Sequence, residues 1–165
     1  MKLTLGKKLG LGFGVVLIIT ILFGVITYSA LATMRKKQAN LFAIRVPAIE
    51  STFGIRMVNQ RVIATSYRYV FETSGTAAGD ADKQELAAKI QLIEKDVSKL
   101  QQLSTGFELE EDKEAVRKLA GQVVTFRSTI EQVTTAPASS RERAVEILDK
   151  SVVPQADAIK KTGAD

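Results

Sequence analysis

The feature that most constrains this chain is an uncharged, apolar stretch near its amino end, which runs for 26 residues from Leu9 to Met34. As an α-helix it would be about 39 Å long, whereas the hydrocarbon core of a bilayer is roughly 30 Å thick. Lysines precede the stretch, and Arg35, Lys36 and Lys37 follow it. We therefore predict an amino-terminal tail over residues 1–8 and a transmembrane helix over residues 9–34, in contact with membrane lipid.

A cleaved signal peptide is the alternative interpretation of the same stretch. Ala30-Leu31-Ala32 is a small-residue triplet of the type that signal peptidases recognise. Cleavage there would leave a soluble periplasmic helical protein with a binding or structural role. The apolar run is longer than a usual signal-peptide core, and three charges follow it at once, so we favour a retained anchor. Basic residues are balanced on its two sides, so charge alone leaves its orientation open.

Composition excludes several classes of function. The chain has no cysteine, histidine or tryptophan, so it lacks thiol chemistry, disulfides and the commonest metal ligand. Its net charge is +5, but six basic residues flank the apolar stretch, and the rest of the chain has 17 basic and 18 acidic residues. We therefore predict no nucleic-acid binding, no metal, no cofactor and no enzymatic activity.

The remainder of the chain predicts four helices. Residues 73–82, 104–106 and 134–140 are rich in Gly, Pro, Ser, Thr and Asp, which interrupt helices. The first helix is expected to end near Glu72. The second should span about Lys83 to Leu103 and the third about Glu108 to Val133, and the fourth should start at Ser140. The fold class is all-α: a transmembrane helix that continues into an antiparallel, up-down-up-down four-helix bundle over residues 35–165.

Apolar residues at spacings of three and four mark the bundle-facing side of each helix. In the last three helices they are Leu86, Ile90, Ile93, Val97 and Leu100; Leu109, Val116, Leu119, Val123, Phe126, Ile130 and Val133; and Val145, Leu148, Val152, Ala156 and Ile159. Capping boxes at residues 82–85 and 139–142 are predicted to start the second and fourth helices. Pro47 and Pro154 should bend their helices, and we expect the two bends to lie close together across the bundle.

The first bundle helix has two opposed apolar stripes. One consists of Phe42, Val46, Ile49, Phe53, Met57, Ala64, Tyr67 and Phe71, and we assign it to the core. The second consists of Ile44, Ser51, Ile55, Val58, Val62 and Tyr69. Because a helix in a single bundle needs only one apolar face, the second stripe predicts a homodimer. Its candidate interface residues are Ile44, Ile55, Val58, Val62 and Tyr69; scattered surface apolar residues are the alternative.

Arginines lie on the borders between the two stripes. Arg61 and Arg68 share one border with Thr65, and Arg45 and Arg56 share the other. A guanidinium group in a cleft between bundle and dimer faces could hold a carboxylate in a bidentate grip. Arg56, Arg61, Thr65 and Arg68 are therefore candidate ligand-binding residues for a small organic acid or amino acid. The alternative is that these arginines are solvated or ion-paired.

Three segments resemble bacterial methyl-accepting chemotaxis receptors. They are LGKKLGLGFGVVLIITILFGV at residues 5–25, RVPAIES at residues 45–51 and LDKSVVPQADAIKK at residues 148–161. Together with the order of an anchor and four helices, they resemble the amino-terminal sensor part of these receptors over nearly the whole chain.

The resemblance implies an inner-membrane protein with a cytoplasmic amino end and a periplasmic sensor from Arg35 onward. It also implies a homodimer, and a ligand at the dimer interface that shifts the last helix toward the membrane. The sequence ends at KKTGAD, where such receptors enter a second membrane helix, so we expect a truncation before that helix. Cytoplasmic signalling partners would then act only through regions that this sequence does not contain.

Overall fold

The computed structural model describes residues 5–136 and 140–163, and every regular element within them is helical. The chain divides into two compact units, Met1–Ala43 and Ile44–Asp165. The first unit consists mainly of helix α1 (Leu5–Asn40). The second unit contains the remaining helices.

Helix α1 presents apolar side chains on all sides. Every large apolar residue from Leu9 to Met34 is at least 47% exposed, and the mean hydropathy of its most apolar window is 2.7. The hydroxyls of Thr20 and Thr33 donate to the carbonyls of Val16 and Ser29, at 2.9 and 3.0 Å. Helix α1 is therefore long and apolar enough to cross a membrane. Its threonine hydroxyls also bond within the helix, as the absence of water in a bilayer requires.

The second unit is an antiparallel four-helix bundle, as the sequence predicts. Its first three helices are α2 (Val46–Arg68), α3 (Ala77–Ser104) and α4 (Glu110–Thr135). The fourth consists of α5 (Arg141–Ile147), a π-helical segment (Leu148–Val152) and α6 (Val153–Thr162). Helix α2 packs against α3 and α6, and α4 packs against α3 and α6, so the four helices enclose one core.

The core confirms the apolar seams predicted for the last three helices. Their predicted residues are buried with two exceptions: Leu109, which is 56% exposed, and Val145, which is half-buried. Ala144 takes the core position expected of Val145. The acidic residues Glu110, Glu111 and Asp112 lie in the first turn of α4, where the helix dipole favours negative charge.

Helix α3 begins six residues before the predicted start at Lys83. Its N-cap is Thr76, whose hydroxyl accepts the backbone N–H of Gly79 at 3.2 Å. The reversal before it needs the positive φ of 82° at Gly75, which glycine adopts without strain. The predicted cap at Asp82 is therefore wrong. Ser139, which begins the other predicted capping box, lies outside the described residues; Ser140 makes no side-chain cap hydrogen bond.

Each proline within the bundle helices follows a π-helical segment. Leu41–Arg45 precedes Pro47, and Leu148–Val152 precedes Pro154. Proline lacks an N–H and its ring collides with the carbonyl four residues earlier, so a wider turn relieves the clash. The wide turn also explains an unusual spacing, since Ala144, Leu148, Val152 and Ala156 are all buried. In a regular α-helix, three successive steps of four residues would place the last side chain about 120° around the axis from the first, and so away from the core.

The two proline bends do not lie close together, so that prediction is wrong. The Asn59 side chain donates to the Ala156 carbonyl at 2.9 Å, and the Tyr67 hydroxyl donates to Asp149 at 2.6 Å. These bonds place Pro154 level with about residue 61 of the antiparallel α2. Pro47 lies 14 residues from that level, or about 21 Å along the helix axis.

Candidate functional site

The structure reverses the assignment of the two stripes on the first bundle helix. Ile55, Val62 and Tyr69, predicted to form a dimer interface, are only 1%, 0% and 3% exposed. Val58 is partly buried against the same core, and Ile44 is half-buried. These side chains therefore pack inside the protomer. The stripe assigned to the core is exposed except at Tyr67.

The exposed residues of that other stripe form a continuous apolar surface on α2. Val46, Ile49, Phe53 and Met57 are 40%, 68%, 63% and 41% exposed, and their spacing of three and four keeps them on one side of the helix. We call them the outer apolar stripe. Contiguous exposed apolar side chains of this size are typical of an interaction surface.

Polar residues occupy much of the inner face of α2. Ser51, Asn59, Thr65 and Ser66 are at most 4% exposed. The Ser66 hydroxyl donates to the Val62 carbonyl at 2.8 Å, while Ser51 Oγ and Asn59 Oδ1 have no partner among the described residues. Because of these polar residues, the inner face of α2 is less hydrophobic than the outer apolar stripe. The sequence pattern therefore assigned the wrong side of the helix to the core.

Thr65 and Arg68, two of the predicted ligand-binding residues, bind side chains of α3 instead. The Arg68 guanidinium pairs with Asp82 and, at 2.7 Å, with Glu85. Lys89 donates to the Thr65 hydroxyl at 2.7 Å. The hydrogen bond from Arg68 holds the pKa of Asp82 below its ordinary value, against the opposing effect of burial. Lys89 and then Arg68 lower the pKa of Glu85, so both carboxylates are ionised at neutral pH.

Arg56 and Arg61, the other two candidates, make no salt bridge with any described residue. Arg61 is exposed and Arg56 is half-buried. Arg56 to Arg68 spans 12 residues, about 18 Å along the helix, so the four candidates do not converge on one small ligand.

Arg56 instead lines the same cavity as Arg45. Both line an open cavity of about 380 Å³ formed by α2, the end of α3, the start of α4 and the end of α6. Its other lining residues are mostly apolar: Ala48, Ile49, Thr52, Phe53, Leu100, Phe107, Asp112, Ala115, Val116, Leu119, Thr162 and Gly163. The sequence placed Arg45 and Arg56 on one border of the helix, but spacing alone could not reveal the cavity beside them.

In the part of the chain that the structure describes, no group of three or more acidic side chains could hold a metal ion. The cavity itself combines an apolar wall with two cationic groups, from Arg45 and Arg56, and one carboxylate, from Asp112. Such a lining suits a small organic molecule with an ionised group.

Comparison with known proteins gives one clear similarity. The family model described as a four helix bundle sensory module for signal transduction matches residues 2–163. No curated protein and no solved structure matches the chain significantly.

Proposed function

Because the chain belongs to the four-helix-bundle sensory modules of methyl-accepting chemotaxis proteins, we propose that it is the ligand-sensing part of a transmembrane chemotaxis receptor. The observation that carries this proposal is the family match over residues 2–163. The long apolar helix before the bundle agrees with it. The module would sense by binding and conformational change, without catalysis.

A chimera tests the sensing function directly. Residues 1–163 would be joined to the second membrane helix and cytoplasmic region of a chemotaxis receptor with a known kinase output. Kinase activity in membranes would then be measured against a panel of small organic acids and amino acids. We expect at least one compound to change the activity in a saturable manner. A chimera that activates the kinase but responds to no compound in a broad panel would contradict direct ligand sensing.

We propose that α1 spans the inner membrane, with the amino end in the cytoplasm and the bundle in the periplasm. The chain has no cysteine, so single substitutions give unambiguous labelling. A membrane-impermeant maleimide should label Ser98→Cys on the exposed side of α3 in cells with a permeabilised outer membrane, and it should spare Lys2→Cys. The opposite pattern would reverse the orientation. Intact mass of the same protein would reveal cleavage after Ala32.

The functional unit is proposed to be a homodimer that pairs through the outer apolar stripe. Support comes from the exposure of Ile49 and Phe53 at 68% and 63%, since burying large apolar side chains drives association. Oxidation of Phe53→Cys in membranes should give a disulfide-linked dimer. Val124→Cys is the matched control, because Val124 is 68% exposed on α4, diagonally across the bundle. Equal cross-linking at both positions would indicate random collision and contradict the interface.

A small organic acid or amino acid is the proposed ligand, and its binding is proposed to shift the last helix toward the membrane. Arg56 and Arg61 have no acidic partner among the described residues and support a carboxylate ligand. Thr65 and Arg68 remain candidates, but a carboxylate there would have to displace Asp82 or Glu85 from the Arg68 guanidinium. Ligand-induced thermal stabilisation should disappear in at least one of the variants Arg56→Ala, Arg61→Ala and Arg68→Ala. Unchanged stabilisation in all three variants would contradict the proposed contact.

A further inference from the structure

We infer that the cavity lined by Arg45 and Arg56 is a binding site for a monocarboxylate with an apolar body, whose carboxylate binds Arg56. The inference rests on the proposed sensing function and identifies its site and class of ligand. The cavity volume of about 380 Å³ falls within the range of small-molecule sites.

Arg56 is the strongest indication of an anionic ligand. It is half-buried, and no acidic side chain among the described residues pairs with it. A partly desolvated cation that lacks a partner is unfavourable, and a carboxylate would supply the missing charge and two hydrogen-bond acceptors. Arg68 and Arg127, in contrast, each pair with two carboxylates.

Arg45 is unsuited to share the same carboxylate. It is exposed and lies 11 residues before Arg56, about 16 Å along the helix. The two guanidinium groups therefore lie toward opposite ends of the cavity. Asp112, the only carboxylate that the described residues contribute to the lining, lies in the first turn of α4, where the helix dipole offsets its charge. The ligand therefore needs only one charged group, the carboxylate that binds Arg56.

The rest of the lining suits an apolar body. Leu100, Val116 and Leu119 are 2%, 7% and 3% exposed and belong to the core, while Phe53 and Phe107 complete the wall. An aliphatic or aromatic body that displaced water from the exposed parts of the wall, such as Phe53 at 63% exposure, would gain about 25 cal/mol for each Å² buried.

The cavity also contacts the end of the last helix. Thr162 and Gly163 are among its lining residues, and a Cβ atom at Gly163 would lie 3.1 Å from Cγ2 of Thr52. A ligand in the cavity would therefore contact α2 and the end of α6 at once, so its affinity would depend on the position of α6.

Isothermal titration calorimetry on the full chain in lipid nanodiscs tests the site. The probes are hexanoate, cyclohexanecarboxylate and 3-phenylpropanoate, each compared with its neutral amide. We expect saturable binding of at least one acid and binding at least tenfold weaker for its amide. Arg56→Ala should weaken binding by about ten- to hundredfold, since hydrogen bonds to charged groups contribute about 1.5–3 kcal/mol. Arg143→Ala, which removes an exposed arginine outside the cavity, should leave affinity unchanged.

Filling the cavity provides an independent test. Ala115→Phe and Ala48→Phe place a large side chain in the lining from α4 and from α2, and each should abolish binding. Circular dichroism would show that at least one of them retains the helical content of the parent chain.

The site is refuted if none of the three acids binds saturably, or if Arg56→Ala and the cavity-filling variants bind as the parent does. It is also refuted if amide and acid bind equally. A chimera that still responds to other compounds in that case would leave the sensing function intact and remove only this site. The proposed dimer would pack beside this cavity, because Ile49 and Phe53 belong both to the outer apolar stripe and to the lining. A dimer that closed the cavity would block all three acids and would count against the site.

Discussion

The reversal of the two stripes on α2 can be tested with two isoleucines on the same helix. Ile55 is 1% exposed and Ile49 is 68% exposed, and both lie within helix α2. Replacing either with alanine changes helix propensity by the same small amount. Any difference in the free energy of unfolding therefore reports burial alone.

The magnitude follows from the burial. Ile→Ala removes three carbon groups, each contributing about 0.8 kcal/mol when buried, and the cavity that remains raises the total to about 2–5 kcal/mol for Ile55→Ala. Ile49→Ala in a monomer should change the free energy of unfolding by less than about 0.5 kcal/mol. With a urea m-value of about 1–3 kcal/mol/M, a loss near 3 kcal/mol lowers the unfolding midpoint by about 1–3 M.

Urea unfolding of the full chain in detergent micelles, followed by circular dichroism, measures both variants. Protein concentration distinguishes folding from dimerisation. The effect of Ile55→Ala should be the same at every concentration, whereas Ile49→Ala should become destabilising only where the parent chain is dimeric. Equal losses at high dilution, or a loss below about 0.5 kcal/mol for Ile55→Ala, would refute the burial argument.

The remaining predictions concern two glycines and two aspartates. Gly79→Ala should destabilise the bundle strongly, because its Cβ would collide with the Thr73 carbonyl; Gly121→Ala, with nothing within 4 Å, should stabilise it by about 0.5–1 kcal/mol in thermal unfolding. Asp82→Asn should cost about 1–3 kcal/mol at pH 7 in urea unfolding. Because folding lowers the pKa of Asp82, this stabilisation exists above the unfolded pKa, and the cost should fall as the pH drops below about 4. Burial raises the pKa of Asp96, so the ionised form opposes folding, and Asp96→Asn should stabilise the protein at pH 7 but not at pH 3; an equal gain at both would contradict the sign.

Periodicity predicted the helices and most of the core because α3 and α4 each have a single apolar face. Leu86, Ile90 and Ile93, for example, lie at spacings of four and three, and all three are buried. On such a helix the period identifies both the element and its inner side.

Helix α2 could not be interpreted in this way because period does not decide between two stripes. The stripe with Phe53 is the more hydrophobic, so hydrophobicity alone assigns it to the core. The inner face of α2 also includes Asn59 and Ser66, and the Asn59 side-chain N–H and the Ser66 hydroxyl donate to backbone carbonyls. Those bonds arise from tertiary packing and local geometry, which no pattern of apolar residues encodes.

The candidate site was only partly predictable for a similar reason. Residue type and helical position identified Arg56 and Arg68 equally well. What distinguishes them is the presence of Asp82 and Glu85 beside Arg68, and those acids follow a turn whose geometry depends on Gly75. The cavity beside Arg56 requires four separate helices to be placed, which lies beyond the information in helical spacing.

The π-helical segment Leu148–Val152 gives the last helix a tolerance for altered length that helices α3 and α4 lack. The wide turn contains one residue more than an α-helical turn, so deleting exposed Lys150 would leave Leu148, Val152, Ala156 and Ile159 at spacings of three, four and three, still on one side. The same deletion at Lys118 in α4 would rotate everything that follows by about 100° and turn Leu119 and Val123 out of register with Val116. Natural relatives of this chain should therefore vary in length at residues 148–152 and hold their length within α4.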